Sequence, residues 1–163
     1  MRVPAAATWE LRQVVLRPER LVHDMALSDD DEPLTATFAA VSVDGEVVGC
    51  VRVAPDAHPP GLVGTGVDGT SPWRLRGMAT RQDLRNAGIG SRVLARATAY
   101  VSEQGGGLIW CNARVPAVGL YRRAGFVDHG AIWEEPPIGP HVIMWKMVAG
   151  AGHVDSATGA DRP

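Results

Sequence analysis

The chain has 163 residues, 45% of them hydrophobic, and its 16 basic and 18 acidic residues give a formal net charge of −2. This length fits one domain with a core of its own. Neither sign of charge forms a block, and the N-terminus lacks a long apolar segment, so we expect no nucleic-acid partner, membrane span or signal peptide.

The cysteine and histidine residues indicate the cell compartment of the protein and whether a metal site is expected. Cys50 and Cys111 both lie in apolar runs that are typical of strands, so we expect two buried, reduced thiols in a cytoplasmic protein. The His and Cys residues lack the spacing of metal ligands, and we predict no metal.

The first third of the chain predicts a helix, an acidic turn and a hairpin. A short helix ending before Pro18 is predicted from four apolar residues: Trp9, Leu11, Val14 and Val15. The run Asp29 to Glu32 lacks the alternation of a calcium loop and is interpreted as a solvated turn. Residues 34–43 and 47–53 are rich in strand formers, and Asp44-Gly45 between them predicts a hairpin. Residues 55–72 are rich in Pro and Gly and predict a surface loop.

The middle of the chain predicts a strand, a glycine-containing turn and a helix. Residues 73–80 are typical of a strand, and apolar residues recur at helical spacing from 89 to 101. Backbone N–H groups at a helix N-terminus lack intrahelical partners and lie at the positive end of the dipole. Gly88 and Gly90 leave room for an anion there, Arg85 adds a planar cation and Ser91 a hydroxyl. We interpret this turn as a diphosphate site; a simple flexible turn is the alternative.

The last third alternates strands and helices. Residues 105–107 are three glycines that end the helix, and residues 108–112 predict a strand parallel to the preceding one. A helix is predicted over 115–124, a strand from Phe126 and a final strand over 142–148. Residues 149–163 are small, polar and aperiodic, and they predict a disordered tail.

Three motifs in order resemble the GCN5-related N-acetyltransferases, the GNAT family. Residues 85–90, RNAGIG, match the family's R/Q-x-x-G-x-G/A loop, and residues 117–126, AVGLYRRAGF, resemble its A-x-x-F-Y-x-x-x-G-F segment. The hairpin turning on Asp-Gly precedes them, as in that family. The resemblance covers roughly residues 11–148, with departures at Ala87 and Leu120 that leave the backbone groups of the loop intact.

The resemblance implies the α/β fold of the acyl-CoA N-acyltransferases. In that fold a mixed, twisted sheet is flanked by helices, and the cofactor lies between two central parallel strands that splay apart. We therefore expect a single domain over residues 1–148, followed by the tail over 149–163. A homodimer is common for this fold.

Acetyl-CoA is the cofactor that the resemblance implies. The backbone of residues 78–80 is expected to pair with the pantetheine arm, with an N–H of Met78 or Ala79 donating to the thioester oxygen. The loop of residues 85–91 is expected to bind the diphosphate, and Asn112 the arm. The expected cofactor-binding residues are Met78, Ala79, Thr80, Arg85, Asn86, Ala87, Gly88, Ile89, Gly90, Ser91 and Asn112.

The resemblance also suggests catalytic residues. Tyr121 is predicted to protonate the coenzyme A thiolate; the alternative is an aromatic core residue. The base is expected from Glu134, Glu135 or His141, which flank a proline-rich loop near the acceptor mouth. The alternative for the two glutamates is a solvated strand end, and for His141 a hydrogen-bonded residue at a strand start.

The predicted function is N-acetyl transfer from acetyl-CoA to a primary amine of a small molecule or peptide, by direct attack in a ternary complex. One alternative is a non-catalytic acyl-CoA-binding or sensing domain, which would bind coenzyme A without turnover. Another is an interaction module whose glycine loop is only a turn. The sequence by itself specifies no acceptor.

Overall fold

The computed structural model describes residues 1–62 and 69–152, and within them seven strands form one mixed sheet. The strands are β1 Arg2–Val3, β2 Ala36–Val41, β3 Val47–Pro55, β4 Pro72–Thr80, β5 Gly106–Arg114, β6 Val127–Glu135 and β7 Gly139–Ala149. The helices are α1 Trp9–Leu16, α2 Ile89–Glu103 and α3 Val118–Arg123, with short 3₁₀ turns at Ala5–Thr8, Val22–Met25, Gln82–Leu84 and Val115–Ala117. The sheet order is β1-β2-β3-β4-β5-β7-β6.

The predicted elements are present, with one strand that the sequence pattern did not reveal. The β2–β3 hairpin turns at Gly45, whose φ is 84°. The unpredicted β1 has only two residues, Arg2 and Val3, which pair with β2. β7 continues to Ala149, one residue past the predicted domain end. The predicted tail from 153 onward lies outside the described residues, as do residues 63–68 of the predicted surface loop.

The helix α1 is where predicted, but its buried residue is Arg12 rather than one of the apolar residues that predicted the helix. Val14 is 67% exposed, whereas Arg12 is only 6% exposed. Arg12 is buried because Gly77 of β4 has no side chain: a Cβ there would lie 2.6 Å from Arg12 Nε. Helical spacing identifies a helix, but the sheet surface beneath it decides which face is covered.

The acidic run is not a purely solvated turn. Asp29 and Asp30 form ion pairs with Arg52 at 2.6 and 2.7 Å, and Arg52 is 2% exposed on β3. A buried guanidinium needs such partners, because an unpaired charge in the interior is costly. The turn therefore neutralises a charge on the sheet.

The main core lies between α2 and one side of the sheet. The predicted face of α2 is confirmed, because Val93, Leu94, Ala97, Tyr100 and Val101 are all buried. They pack in one cluster with strand residues of β2 to β5 and with α3. The side of the sheet that packs on α2 and α3 is called the α2 face below.

The opposite side of the sheet is called the α1 face. There Leu108 and Trp110 of β5 form a separate cluster with Leu62. Successive residues of a strand alternate between faces, so Asn112 and Arg114 share the α1 face with Trp110. No helix of the described residues is long and apolar enough to span a membrane.

The crossover from β4 through α2 to β5 makes the central strand pair parallel, as predicted. Only three residue pairs join the two strands: Pro72 with Leu108, Trp73 with Ile109, and Arg74 with Trp110. β4 continues to Thr80 and β5 to Arg114, but these parts of the two strands do not pair with each other, so the strands diverge. The predicted splay of the central strands is confirmed.

Gly107, near the start of β5, lies close to the backbone of Ser71, the residue before β4. Its φ is 140°, and a Cβ would collide with the carbonyl oxygen of Ser71. We expect Gly107→Ala to lower the free energy of unfolding by about 2–4 kcal/mol, from strain and the clash. Urea unfolding measures this loss.

Gly105→Ala is the matched control for this prediction. Gly105 also has a positive φ, 103°, but in the part of the chain that the structure describes no atom lies within 4 Å of its Cβ position. Its replacement should cost only the backbone strain, about 1 kcal/mol. Equal losses for the two variants would contradict a role for the close contact with Ser71.

Candidate active site

The divergence of β4 from β5 leaves part of β4 without a partner strand on that side. Pairing with β5 stops at Arg74, and the register with β3 shifts so that Gly77 and Met78 have no partner in either neighbouring strand. Ala79 and Thr80 again pair with β3. The unpaired side of β4 therefore offers backbone groups to an extended ligand between the strands.

The loop after β4 ends at an open helix N-terminus. No side chain of residues 1–62 or 69–152 caps α2, whose first intrahelical bond runs from Arg92 N–H to the Gly88 carbonyl at 3.1 Å. Asn86 and Gly88 have φ values of 64° and 80°, which turn the chain into the helix. N–H groups of the first turn are left for an anion.

The same loop is held against the end of β4. The side chain of Ile89 packs where Gly49 of β3 has no Cβ. A Cβ on Gly90 would lie 3.4 Å from Leu120 and 3.5 Å from Thr80 Oγ1. Arg85, Ala87, Gly88 and Ser91 are exposed beside this contact. Among the described residues, Arg85 forms no ion pair, unlike Arg81, which pairs with Glu46 and Asp83.

A groove of about 600 Å³ continues from this loop between α2 and α3. It begins at Ser91 and Leu120 and is lined by the basic side chains of Arg123 and Lys146. Lys146 Nζ also donates to the carbonyl oxygen of Ala124 at 2.8 Å. The loop and the groove form one continuous surface with positive charge.

Asn112 lies beyond the last pair of β4 with β5. It is exposed on the α1 face, two residues after Trp110, and its register partner in β7 is Ile143. The predicted arm-binding residue is thus at the divergence. It lies on β5 two residues past Trp110, which is the last β5 residue that pairs with β4.

Tyr121 lies on α3 at the other face of β5. It is 4% exposed and packs edge-on against Phe126, with ring centroids 5.5 Å apart. Its hydroxyl interacts with the Cys111 thiol, the residue before Asn112. Burial, and then the Cys111 thiol, raise the pKa of Tyr121 well above its ordinary value. The phenol therefore keeps its proton at all physiological pH values.

Cys111 and Cys50 are buried free thiols, as predicted. Burial raises the pKa of Cys111 to about 12 and that of Cys50 to about 11. Thiols with such pKa values are neutral at physiological pH and do not act as nucleophiles.

Two of the three candidate bases, Glu134 and His141, lie on adjacent strands but on opposite faces. His141 pairs with Trp133 of β6 and Arg114 of β5, whereas Glu134 pairs with Pro140. His141 therefore shares the α1 face with Asn112, while Glu134 points to the other side. The structure does not bring these two side chains together as a pair.

The ring of His141 is fixed by its surroundings. It is 7% exposed, stacks on Trp133 with centroids 5.6 Å apart, and places Nδ1 2.9 Å from the Gly139 carbonyl oxygen. A carbonyl oxygen only accepts, so Nδ1 carries the hydrogen and the neutral ring has Nε2 free to accept a proton. Glu134 and Glu135 are exposed, and Glu135 accepts a hydrogen bond from Trp133 Nε1 at 3.1 Å.

Arginines beside the divergence were not identified from the sequence as site residues. Arg74 and Arg76 of β4 and Arg114 of β5 lie on the α1 face. The alternation Arg-Leu-Arg over residues 74–76 places both β4 arginines on one face. This alternation was the feature of the sequence that could have identified them. The described residues contain no group of three or more His, Cys, Asp or Glu that could hold a metal.

Comparison with known proteins identifies the family. The profile of the acetyltransferase (GNAT) family matches residues 5–126. The chain is also 30% identical over 141 residues to the uncharacterized N-acetyltransferase YitI of Bacillus subtilis, covering 86% of this chain and 90% of that protein. The chain belongs to the GNAT family. Its class of activity is N-acetyl transfer.

Solved GNAT structures share the fold. The NatC complex bound to Gag peptide and CoA superposes with a TM-score of 0.69 at 15% identity, covering 90% of this chain and 91% of that one. An aminoglycoside 6′-N-acetyltransferase complexed with coenzyme A gives a TM-score of 0.64 at 16% identity, with 89% and 91% covered. The predicted GNAT fold is confirmed, while the roles of the individual site residues stay predictions.

Proposed function

We propose that this GNAT protein transfers an acetyl group from acetyl-CoA to a primary amine of a small molecule or peptide, by direct attack in a ternary complex. The divergence of β4 from β5, directly beside the uncapped N-terminus of α2, carries the proposal. It provides an unpaired strand edge for an extended arm and N–H groups for a diphosphate in one continuous surface. A domain over residues 1–148 and a cytoplasmic location with reduced thiols belong to the same proposal.

In this proposal, the loop binds the diphosphate of acetyl-CoA. The N–H groups near Gly88 and Gly90 and the guanidinium of Arg85 are the donors, and charge-assisted bonds of this kind are among the stronger hydrogen bonds in proteins. The remaining loop residues, Asn86, Ala87, Ile89 and Ser91, shape the turn and its first helical residues. The groove that begins at Ser91 would hold the adenosine part, with Arg123 and Lys146 near its 3′-phosphate.

The unpaired edge of β4 would bind the pantetheine arm. Met78 is suited to donate its N–H to the thioester oxygen, because the register shift leaves it without a strand partner. Ala79 and Thr80 continue the edge toward the loop, and Asn112 approaches from β5. Positioning of this kind can supply several kcal/mol of the barrier to acyl transfer.

Two side chains could supply the acid and the base of this reaction. Tyr121 keeps its proton and can donate it to the departing thiolate of coenzyme A. We favour His141 over Glu134 as the group that accepts the proton of the amine. His141 shares the α1 face with Asn112 and has a free Nε2, whereas the register turns Glu134 to the opposite face.

Steady-state kinetics with a panel of amines test this proposal. Release of free coenzyme A thiol should depend on both the protein and the amine, and double-reciprocal plots at several acetyl-CoA concentrations should intersect, as direct attack requires. Parallel lines would contradict a ternary complex. Binding of acetyl-CoA without turnover of any amine would instead favour a sensing domain. Homodimerisation stays a prediction, which analytical ultracentrifugation can test.

A further inference from the structure

Two arginines point from β4 to the α1 face where the strands part. Arg74 is the last residue of β4 that pairs with β5, and Arg76 follows on the same face. Their side chains are 23% and 37% exposed. They lie beside Met78 in the chain, on the side of the sheet that also carries Asn112 and His141.

These two guanidinium groups have few partners. Among the described residues, their only carboxylate is Asp56, which lies 3.6 Å from Arg74 and 3.5 Å from Arg76 and is shared between them. Arg74 Nε is buried and has no hydrogen-bond partner in the described ranges. The guanidinium carbon of Arg74 lies over the Trp110 ring, 4.6 Å from its centre, in a cation–π contact. Burial, and then the charge of Arg76, lower the pKa of Arg74.

A third guanidinium adds to the unbalanced charge. Arg12 is 6% exposed, and its Nε and Nη1 have no hydrogen-bond partner among the described residues. It lies against the backbone of Gly77, next to Met78. The nearby carboxylates of Asp29 and Asp30 already pair with Arg52. Burial is the main cause that lowers the pKa of Arg12, and Arg76 contributes as well.

The excess positive charge on this surface favours the binding of an anion. Arg74 and Arg76 share the carboxylate of Asp56. The charge of Asp30 acts on Arg12, but Asp30 is already paired with Arg52. Positive charge is therefore in excess beside the divergence. Donors that are buried without partners cost free energy, which a bound anion would recover. The planar guanidinium fork matches the geometry of a carboxylate.

We propose that the amine acceptor carries a carboxylate, which Arg76 and Arg74 bind beside the point where β4 leaves β5. This inference rests on the proposed function and narrows its acceptor to amino acids or peptides with a free carboxylate near the reacting amine. A polycationic acceptor is disfavoured, because like charges placed together cost several kcal/mol. The surface thus differs in preference from an enzyme that acts on aminoglycosides.

Matched acceptors test the inference. We would measure kcat/KM for amino acids and dipeptides as free acids and as C-terminal amides, with Arg76→Glu, Arg76→Lys and the parent protein. The amines of an acid and its amide differ in pKa, so the acid-to-amide ratio is compared between proteins rather than read alone. We expect the parent to favour the acids, and Arg76→Glu to reduce the ratio at least about tenfold through KM. Arg76→Lys should keep most of the preference.

Arg96→Glu is the control for net charge. Arg96 lies on α2, away from the α1 face, and its side chain is 42% exposed, close to the 37% of Arg76. It should leave the acid-to-amide ratio unchanged. An unchanged ratio in Arg76→Glu, or equal changes in both variants, would overturn the inference while turnover still supports acetyl transfer. Turnover of other amines but of no acid or amide would overturn the inference alone, whereas lack of turnover with every amine, despite acetyl-CoA binding, would overturn the proposed function and this inference together.

Discussion

Gly88→Glu will bind acetyl-CoA about a hundredfold more weakly than the parent. No atom of the described residues lies within 4 Å of the Cβ position of Gly88, so the new side chain projects into the open space beside the α2 N-terminus. A carboxylate there repels the diphosphate and competes for the same N–H groups. Isothermal titration with acetyl-CoA measures the change in Kd.

Gly88→Gln separates charge from bulk and strain. Its side chain has nearly the same size and suffers the same φ of 80°, so both variants should lose similar stability in thermal unfolding. We expect only about a tenfold weaker Kd for Gln, since the charge is absent. Arg85→Ala should add a separate loss of about tenfold by removing one charge-assisted bond. Equal affinities for the Glu and Gln variants would argue against a diphosphate at this loop.

Tyr121→Phe will lower kcat by about a hundredfold and leave the Kd for acetyl-CoA nearly unchanged. The change removes the proton that we assign to the leaving thiolate, and general acid catalysis contributes factors of this size. The pKa of Tyr121 lies well above its ordinary value, so the phenol stays protonated as pH rises through the physiological range. An alkaline loss of activity below pH ~10 must then arise from another group.

Tyr100→Phe is the matched control, because Tyr100 is a second buried tyrosine, 5% exposed. Its hydroxyl donates to the Leu34 carbonyl oxygen at 3.1 Å, in the core and not at the divergence. Its removal should cost about 1 kcal/mol of stability and spare kcat. If Tyr121→Phe behaves as Tyr100→Phe does, Tyr121 is a core residue and another group protonates the thiolate.

The loop that we propose binds the cofactor could be located from the sequence because its signals are local. The strand, the glycine turn and the start of α2 are consecutive in the chain, and residues 85–90 carry the family loop. The face of the sheet on which each candidate base lies could not be predicted in this way. Glu134 and His141 are seven positions apart in the sequence, yet the β6–β7 register places them on opposite faces.

The buried charges show the same division. The sequence predicts α1 from its apolar spacing, but Gly77, in a strand far along the chain, decides that Arg12 is covered. Asp29 and Asp30 look like a solvated run until Arg52 is brought against them by β3. In each case the deciding contact joins residues that are distant in sequence.

By itself, the sequence indicated the GNAT family, the helices α1 to α3, every strand except β1, and the loop that we propose binds the diphosphate. These depend on periodicity, turn chemistry and glycines within short segments, where neighbouring residues set the backbone. Only the tertiary structure decided where β4 and β5 part and which face carries the arginines Arg12, Arg74 and Arg76. Strand register and long-range packing fix those features, and a one-residue change of register would turn every side chain to the other face.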